Sequence, residues 1–180
     1  MFRSSVLIVL VWAGAAQAES RALDRAEMIT MMAKNATCYA TEEGDCYAAE
    51  FYRNIGKETV DIVYMVDNGG SFTIVQERAT WRENQICVPD TAEGVIDAWT
   101  LAVSDRTLQF DLSNATQMSA ADTIQLRAAY ADRRAMSYCY GWITQDGSFG
   151  DMISNFQYGE DSGVWPMRFV PLAAGSIELH

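Results

Sequence analysis

Histidine is almost absent from this sequence: the 180 residues contain one, and it is the last, His180. Ser-His-Asp and Cys-His enzymes need an interior base, so that chemistry is disfavoured. The chain also lacks Gly-x-Ser-x-Gly, a phosphate-binding loop, a dinucleotide-binding glycine pattern and His-Glu-x-x-His. The common motif-bearing hydrolases, nucleotide enzymes and zinc peptidases lose their signatures with them. No Cys-x-x-Cys or zinc-type cysteine spacing occurs either, which leaves metal and thiol-redox sites without ligands at workable distances. These gaps predict no catalytic residue set, no metal and no cofactor, and they lean against an enzyme.

Positive charge is scarce too. Thirteen basic residues stand against 24 acidic ones, a formal charge of −11. A field of that sign repels nucleic acid and anionic membranes, so neither is expected as a partner. It suits solubility, or a cationic protein or peptide. Long apolar runs are missing except near the start, where Val6 to Trp12 follows Arg3 and precedes Ala16-Gln17-Ala18. One positive residue, a short apolar core and a small-x-small site make a secretory signal ending at Ala18. The run is too short for a bilayer span, which takes roughly 20 residues. The expected organisation is a signal peptide over 1–18 and one globular domain over 19–180, periplasmic or secreted, with no membrane insertion after cleavage. The first cysteine is Cys38, too far along for a lipid anchor at the cleavage site.

Four cysteines, Cys38, Cys46, Cys87 and Cys139, are simplest as two disulfides in an exported chain. Three connectivities exist. Cys38–Cys46 with Cys87–Cys139 is preferred, because the first pair can meet across one acidic turn. Chain entropy makes the shorter loop worth roughly 2.5 kcal/mol and the longer about 4 kcal/mol.

Local patterns predict the elements. Ser20 to Lys34, with Leu23, Met28, Met31 and Met32 at helical spacing, reads as an amphipathic helix capped by Ser20. Its methionines suit a buried face better than a copper site. Asp45 then caps a second helix over Cys46 to Ile55, ended by Gly56. Cys38–Cys46 would thus staple a helical hairpin. Thr59 to Val66 and Ser71 to Arg78 flank Asn68-Gly69, the strongest short hairpin signal. Residues 91–104 fit a helix capped at Asp90 or Thr91, with a strand paired to Thr107–Leu112 as the alternative. Ser119-Ala-Ala-Asp opens a helix toward Met136. Its Arg127, Arg133 and Arg134 fit local pairs with Asp122 and Asp132 rather than an anion site. The fold expected from these parts is a small disulfide-stapled α+β domain: an N-terminal helical hairpin, a central β-hairpin and a loop-rich aromatic C-terminal third. A mainly α fold is the alternative.

The aromatics of that last third, Tyr138, Tyr140, Trp142 and Trp165 among them, are core or a recognition surface. With no catalytic motif, binding to a protein partner in the periplasm or outside the cell is the favoured function. The alternative is a small envelope hydrolase acting on glycan through carboxylates such as Asp146, Asp151, Glu160 and Asp161. Asn35-Ala-Thr and Asn114-Ala-Thr match glycosylation sequons, candidates in a eukaryotic secretory route and without meaning in a bacterial one, which the short signal favours. Cysteines around a helix turn, then Cys87-Val-Pro before a capped helix, resemble the small helical periplasmic immunity proteins. The Asn68-Gly69 hairpin and the aromatic tail depart from that pattern, and no site residue carries over.

Overall fold

Strand alternation, not helical periodicity, governs most of this chain. The computed structural model describes residues 20–40, 45–67, 71–88, 94–102, 106–133, 138–145, 148–155 and 160–179, without side chains at 40, 66–67, 130–133, 138, 145, 148–155 and 160–166. The chain opens with β1 (Arg21–Ala22), α1 (Arg25–Met32), β2 (Asn35–Ala40), β3 (Cys46–Arg53), β4 (Thr59–Asp67), β5 (Ser71–Arg82) and β6 (Gln85–Val88). It continues through β7 (Val95–Ala102), β8 (Thr107–Gln109), β9 (Thr116–Gln117) and α2 (Ala120–Arg133). It ends with β10 (Tyr138–Gln145), β11 (Ser148–Asn155), β12 (Glu160–Pro171), a 3-10 turn and β13 (Ser176–Glu178).

Eleven of these strands form one sheet, in the order β1-β10-β11-β12-β2-β3-β4-β5-β7-β9, with β6 off the path. Every pairing is antiparallel. The sheet curls like a half-barrel, and β6 bridges its two arms by pairing with β5 on one side and β10 on the other. Curling lets the sheet enclose its own core.

The expected α+β architecture, with its N-terminal helical hairpin and loop-rich tail, is therefore overturned, as is a mainly α fold. Cys46 to Arg53 is a strand, not a second helix. Its apolar residues at 46, 49 and 52 mimic a helical stripe, but the sheet buries both of its faces there. Ala49 and Phe51 lie in one core cluster, while Tyr52 lies in the other. A strand buried on both sides loses the polar–apolar alternation that would identify it. The aromatic third is likewise three long strands, not loops. Residues 95–102 are strand β7, paired with β5 and not with β8; β8 pairs with β13. The helical elements behind the immunity-protein resemblance are thus replaced by strands. Residues 1–19, including the signal-like segment, lie outside the described set, as do Asn68, Gly69, Asp90 and Thr91.

Two cores result. The inner one takes Tyr52, Val60, Ile62, Ala79, Trp81, Ile86, Val88, Tyr140, Trp142 and Met167 from the curled sheet, with Leu23 just before α1 and Met28 and Met32 of α1 laid over it. α1 is shorter than the sequence suggests because Asp24, not Ser20, caps it, in a reciprocal box with Glu27. Met28 and Met32 are fully buried, so they are packing side chains. The outer core lies on the opposite face of β2–β5, where β8 and β13 cover Phe51, Val63, Met65 and Ile74 with Leu108 and Ile177. Gly175, at φ 81°, supplies the left-handed step that leads into β13.

Both disulfides are present. Cys38–Cys46 crosses between neighbouring strands β2 and β3, and Cys87–Cys139 joins directly opposed residues of β6 and β10. The first is a strand staple rather than a clamp between helices. The second holds the pairing that bridges the sheet.

Candidate functional site

Glu50 and Tyr52 of β3 and Val60, Ile62 and Tyr64 of β4 face the inner core, because opposed residues of an antiparallel pair share a face. Tyr52 opposes Ile62, and Glu50 opposes Tyr64. Ile62 in turn opposes Glu77 on β5. The same geometry that lines the interior with Tyr52 and Ile62 therefore places two carboxyl groups there. Glu50 is 7% exposed and Glu77 is fully buried.

Glu50 is held by phenols. Tyr52 donates a short hydrogen bond to its Oε1, and Tyr140 on β10 donates to the same oxygen at 3.3 Å. Tyr39 on β2 bonds the carboxyl as well. Thr37 shares a hydrogen bond of 3.2 Å with Tyr52 Oη. Burial pushes the Glu50 carboxyl above its usual range, against the opposing pull of these three phenol bonds. Burial, and next the neighbouring Glu50, hold the Tyr52 phenol well above its ordinary value. Glu77 accepts from Tyr64 Oη at 3.0 Å.

Aromatic rings pack round this network. Trp142 meets Tyr52 edge-on at 5.7 Å and Phe169 at 4.9 Å between ring centroids. Trp81 lies in the same cluster, under the guanidinium of Arg25 at 5.0 Å. The indole N–H groups of both Trp81 and Trp142 are buried without a hydrogen-bond partner among the described residues. An unmet buried donor costs about 1–3 kcal/mol. A core that served packing alone would be cheaper with apolar rings at those positions.

Of the aromatics expected at a recognition surface, Tyr140 and Trp142 are 3% and 1% exposed and belong to this interior. They form no outer patch. Tyr138 stands opposite Val88 and Asn155, and Trp165 opposite Asp151; their side chains are outside the described set. So are those of Asp151, Glu160 and Asp161, and all of Asp146. Sequence reasoning missed Tyr39, Glu50, Tyr52, Tyr64 and Glu77. Their signal was parity, residues 50 and 52 sharing a face, and the helical assignment of β3 erased it.

Other features have structural work. Arg127 donates to the carbonyls of Val95 and Ile96 at 2.9 and 3.1 Å, so it docks α2 on β7 instead of pairing with Asp122. Asp122 accepts from Ser119 at 2.7 Å. Asn35 and Asn114 bond backbone carbonyls of Met31 and Thr107. Among the described residues no cluster of His, Cys, Asp and Glu could hold a metal, and no helix is long and apolar enough to cross a membrane.

Comparison with known proteins finds no matching family model, no matching curated protein and no matching solved structure.

Proposed function

We propose that this chain is an exported binding domain that takes a small molecule into the inner face of its curled sheet. The observation that carries it is the buried Glu50, ringed by Tyr39, Tyr52 and Tyr140, in a core that also buries two indole donors with no partner among the described residues. Convergent polar groups within an otherwise apolar, aromatic interior are the composition of a ligand site, and curled antiparallel sheets offer such interiors. Export is supported by the N-terminal signal pattern and by two disulfides, which persist in oxidising compartments. A protein partner docking on the aromatics of the last third loses its motive at Tyr140 and Trp142, because both are buried. Binding is retained as the class of function, and the occupant becomes a small molecule.

The test uses N-phenyl-1-naphthylamine, a neutral probe that brightens in apolar sites, titrated into purified residues 19–180. Saturable one-to-one brightening, with energy transfer from the buried tryptophans, is the expected result. Brightening that never saturates, or none, overturns the proposal. Sequencing the N-terminus of the protein from its native envelope checks export, with Glu19 as the expected first residue.

A further inference from the structure

We infer that the ligand is a small organic ammonium whose cationic nitrogen is received by Glu50 inside the curled sheet. This rests on the interior-binding function proposed above and adds the ligand's chemistry.

Among the described residues Glu50 is a buried acid without a base. Its partners are the hydroxyls of Tyr52, Tyr140 and Tyr39. The ion pairs among the described residues, Arg21–Glu27 and Arg78–Asp61, lie elsewhere. Asp61 opposes Arg53 and Arg78 and neighbours residues 60 and 62 along β4, so it faces away from the inner core. A buried carboxyl that stays ionised is normally paired with a cation, because hydroxyl bonds offset only part of the lost hydration. A ligand that brings the cation completes the pair.

The surroundings suit the same charge. Tyr52, which bonds the carboxyl, packs edge-on with Trp142, and Trp142 with Phe169, and aromatic faces attract ammonium groups. The chain's net charge of −11 favours approach of a cation over that of an anion. An anionic ligand would meet an ionised Glu50 as a like charge, and a neutral one would leave a proton as the carboxyl's only counterweight. The indole donor of Trp142, whose ring packs on Tyr52, has no partner among the described residues and adds a second requirement, an oxygen acceptor on the same molecule. An amino alcohol meets both.

The experiment is displacement of N-phenyl-1-naphthylamine by choline and ethanolamine, against two isosteres of choline: neutral 3,3-dimethylbutanol and anionic 3,3-dimethylbutanoate. At least one amine should displace the probe at about tenfold lower concentration than either isostere, the preference expected of a desolvated charge contact of ~1.4 kcal/mol. In Glu50→Gln protein that takes up the probe, that preference should vanish. Equal or better displacement by an isostere, no displacement by either amine, or a preference surviving in Glu50→Gln would overturn the ammonium assignment. Failure of the probe itself to bind would remove the interior-binding function instead. The wild-type comparison decides the matter even if Glu50→Gln does not fold.

Discussion

The hydroxyl of Tyr140 donates to Glu50 Oε1 at 3.3 Å across 90 residues of chain. Neither β3 nor β10 pairs with the other; the curl of the sheet brings their inner faces together. The bond is thus a report on closure as well as on the site, and it joins the two parts of the molecule that β6 bridges.

Glu50 should make the protein less stable as the medium becomes less acidic. Its carboxyl is raised by burial above an unfolded value of 4.5. A raised group contributes stability that is full below its unfolded value and lost as pH rises through the folded one. Glu50→Gln removes that loss. Urea unfolding at about pH 4 and about pH 7 should therefore show the variant gaining on wild type at the higher pH. Parallel curves at both pH values would refute the prediction.

Asp61 works the opposite way. Burial pushes its carboxyl up, yet hydrogen bonds from Arg78 at 2.9 Å, Asn54 at 2.6 Å and Gln76 at 3.1 Å more than offset this and leave it lowered. A lowered group stabilises above its unfolded value and loses that contribution as pH falls through the folded one. Arg78→Ala should cost about 1 kcal/mol near neutrality, less than a buried charged hydrogen bond because Arg78 is half exposed. The cost should shrink in acid, as denaturation at the two pH values would show.

The two disulfides should differ in worth. Cys38–Cys46 closes a separation of 8 residues and Cys87–Cys139 one of 52. Chain entropy makes them worth about 2.5 and 4 kcal/mol. Cys87→Ala with Cys139→Ala should lower the thermal midpoint more than Cys38→Ala with Cys46→Ala does. The reverse order would show that the β6–β10 bridge matters less than loop length implies.

Glu27 offers a test of the start of α1. Hydrogen bonds from Arg21, at 2.7 and 2.8 Å, and from the Asp24 backbone hold its carboxyl down at about 2. Carbon-detected NMR titration should find that midpoint, and Arg21→Ala should move it upward. An unmoved midpoint would dissociate the Arg21 pair from the capping box.

Short-range chemistry was legible without the fold. The β-branched runs at 59–66 and 71–78 form β4 and β5, Ser119 precedes α2, and nearness in sequence suffices to bring Cys38 to Cys46. The turn into β6 escaped notice because Glu83, not glycine, takes its positive φ of 52°. β3 escaped because Cys46-Tyr-Ala-Ala-Glu-Phe-Tyr carries alanine and glutamate, which locally favour helix. Packing overrides such preferences when a strand can bury both faces.

The residues alone thus determine that the chain is acidic, poor in histidine and able to form two disulfides. Only the tertiary structure decides that Glu50 is buried with Tyr39, Tyr52 and Tyr140. Strand parity assigns each side chain to a face, but which face becomes the interior depends on how the sheet curls. That is a property of pairings between distant segments such as β6 with β10, and no local pattern encodes it.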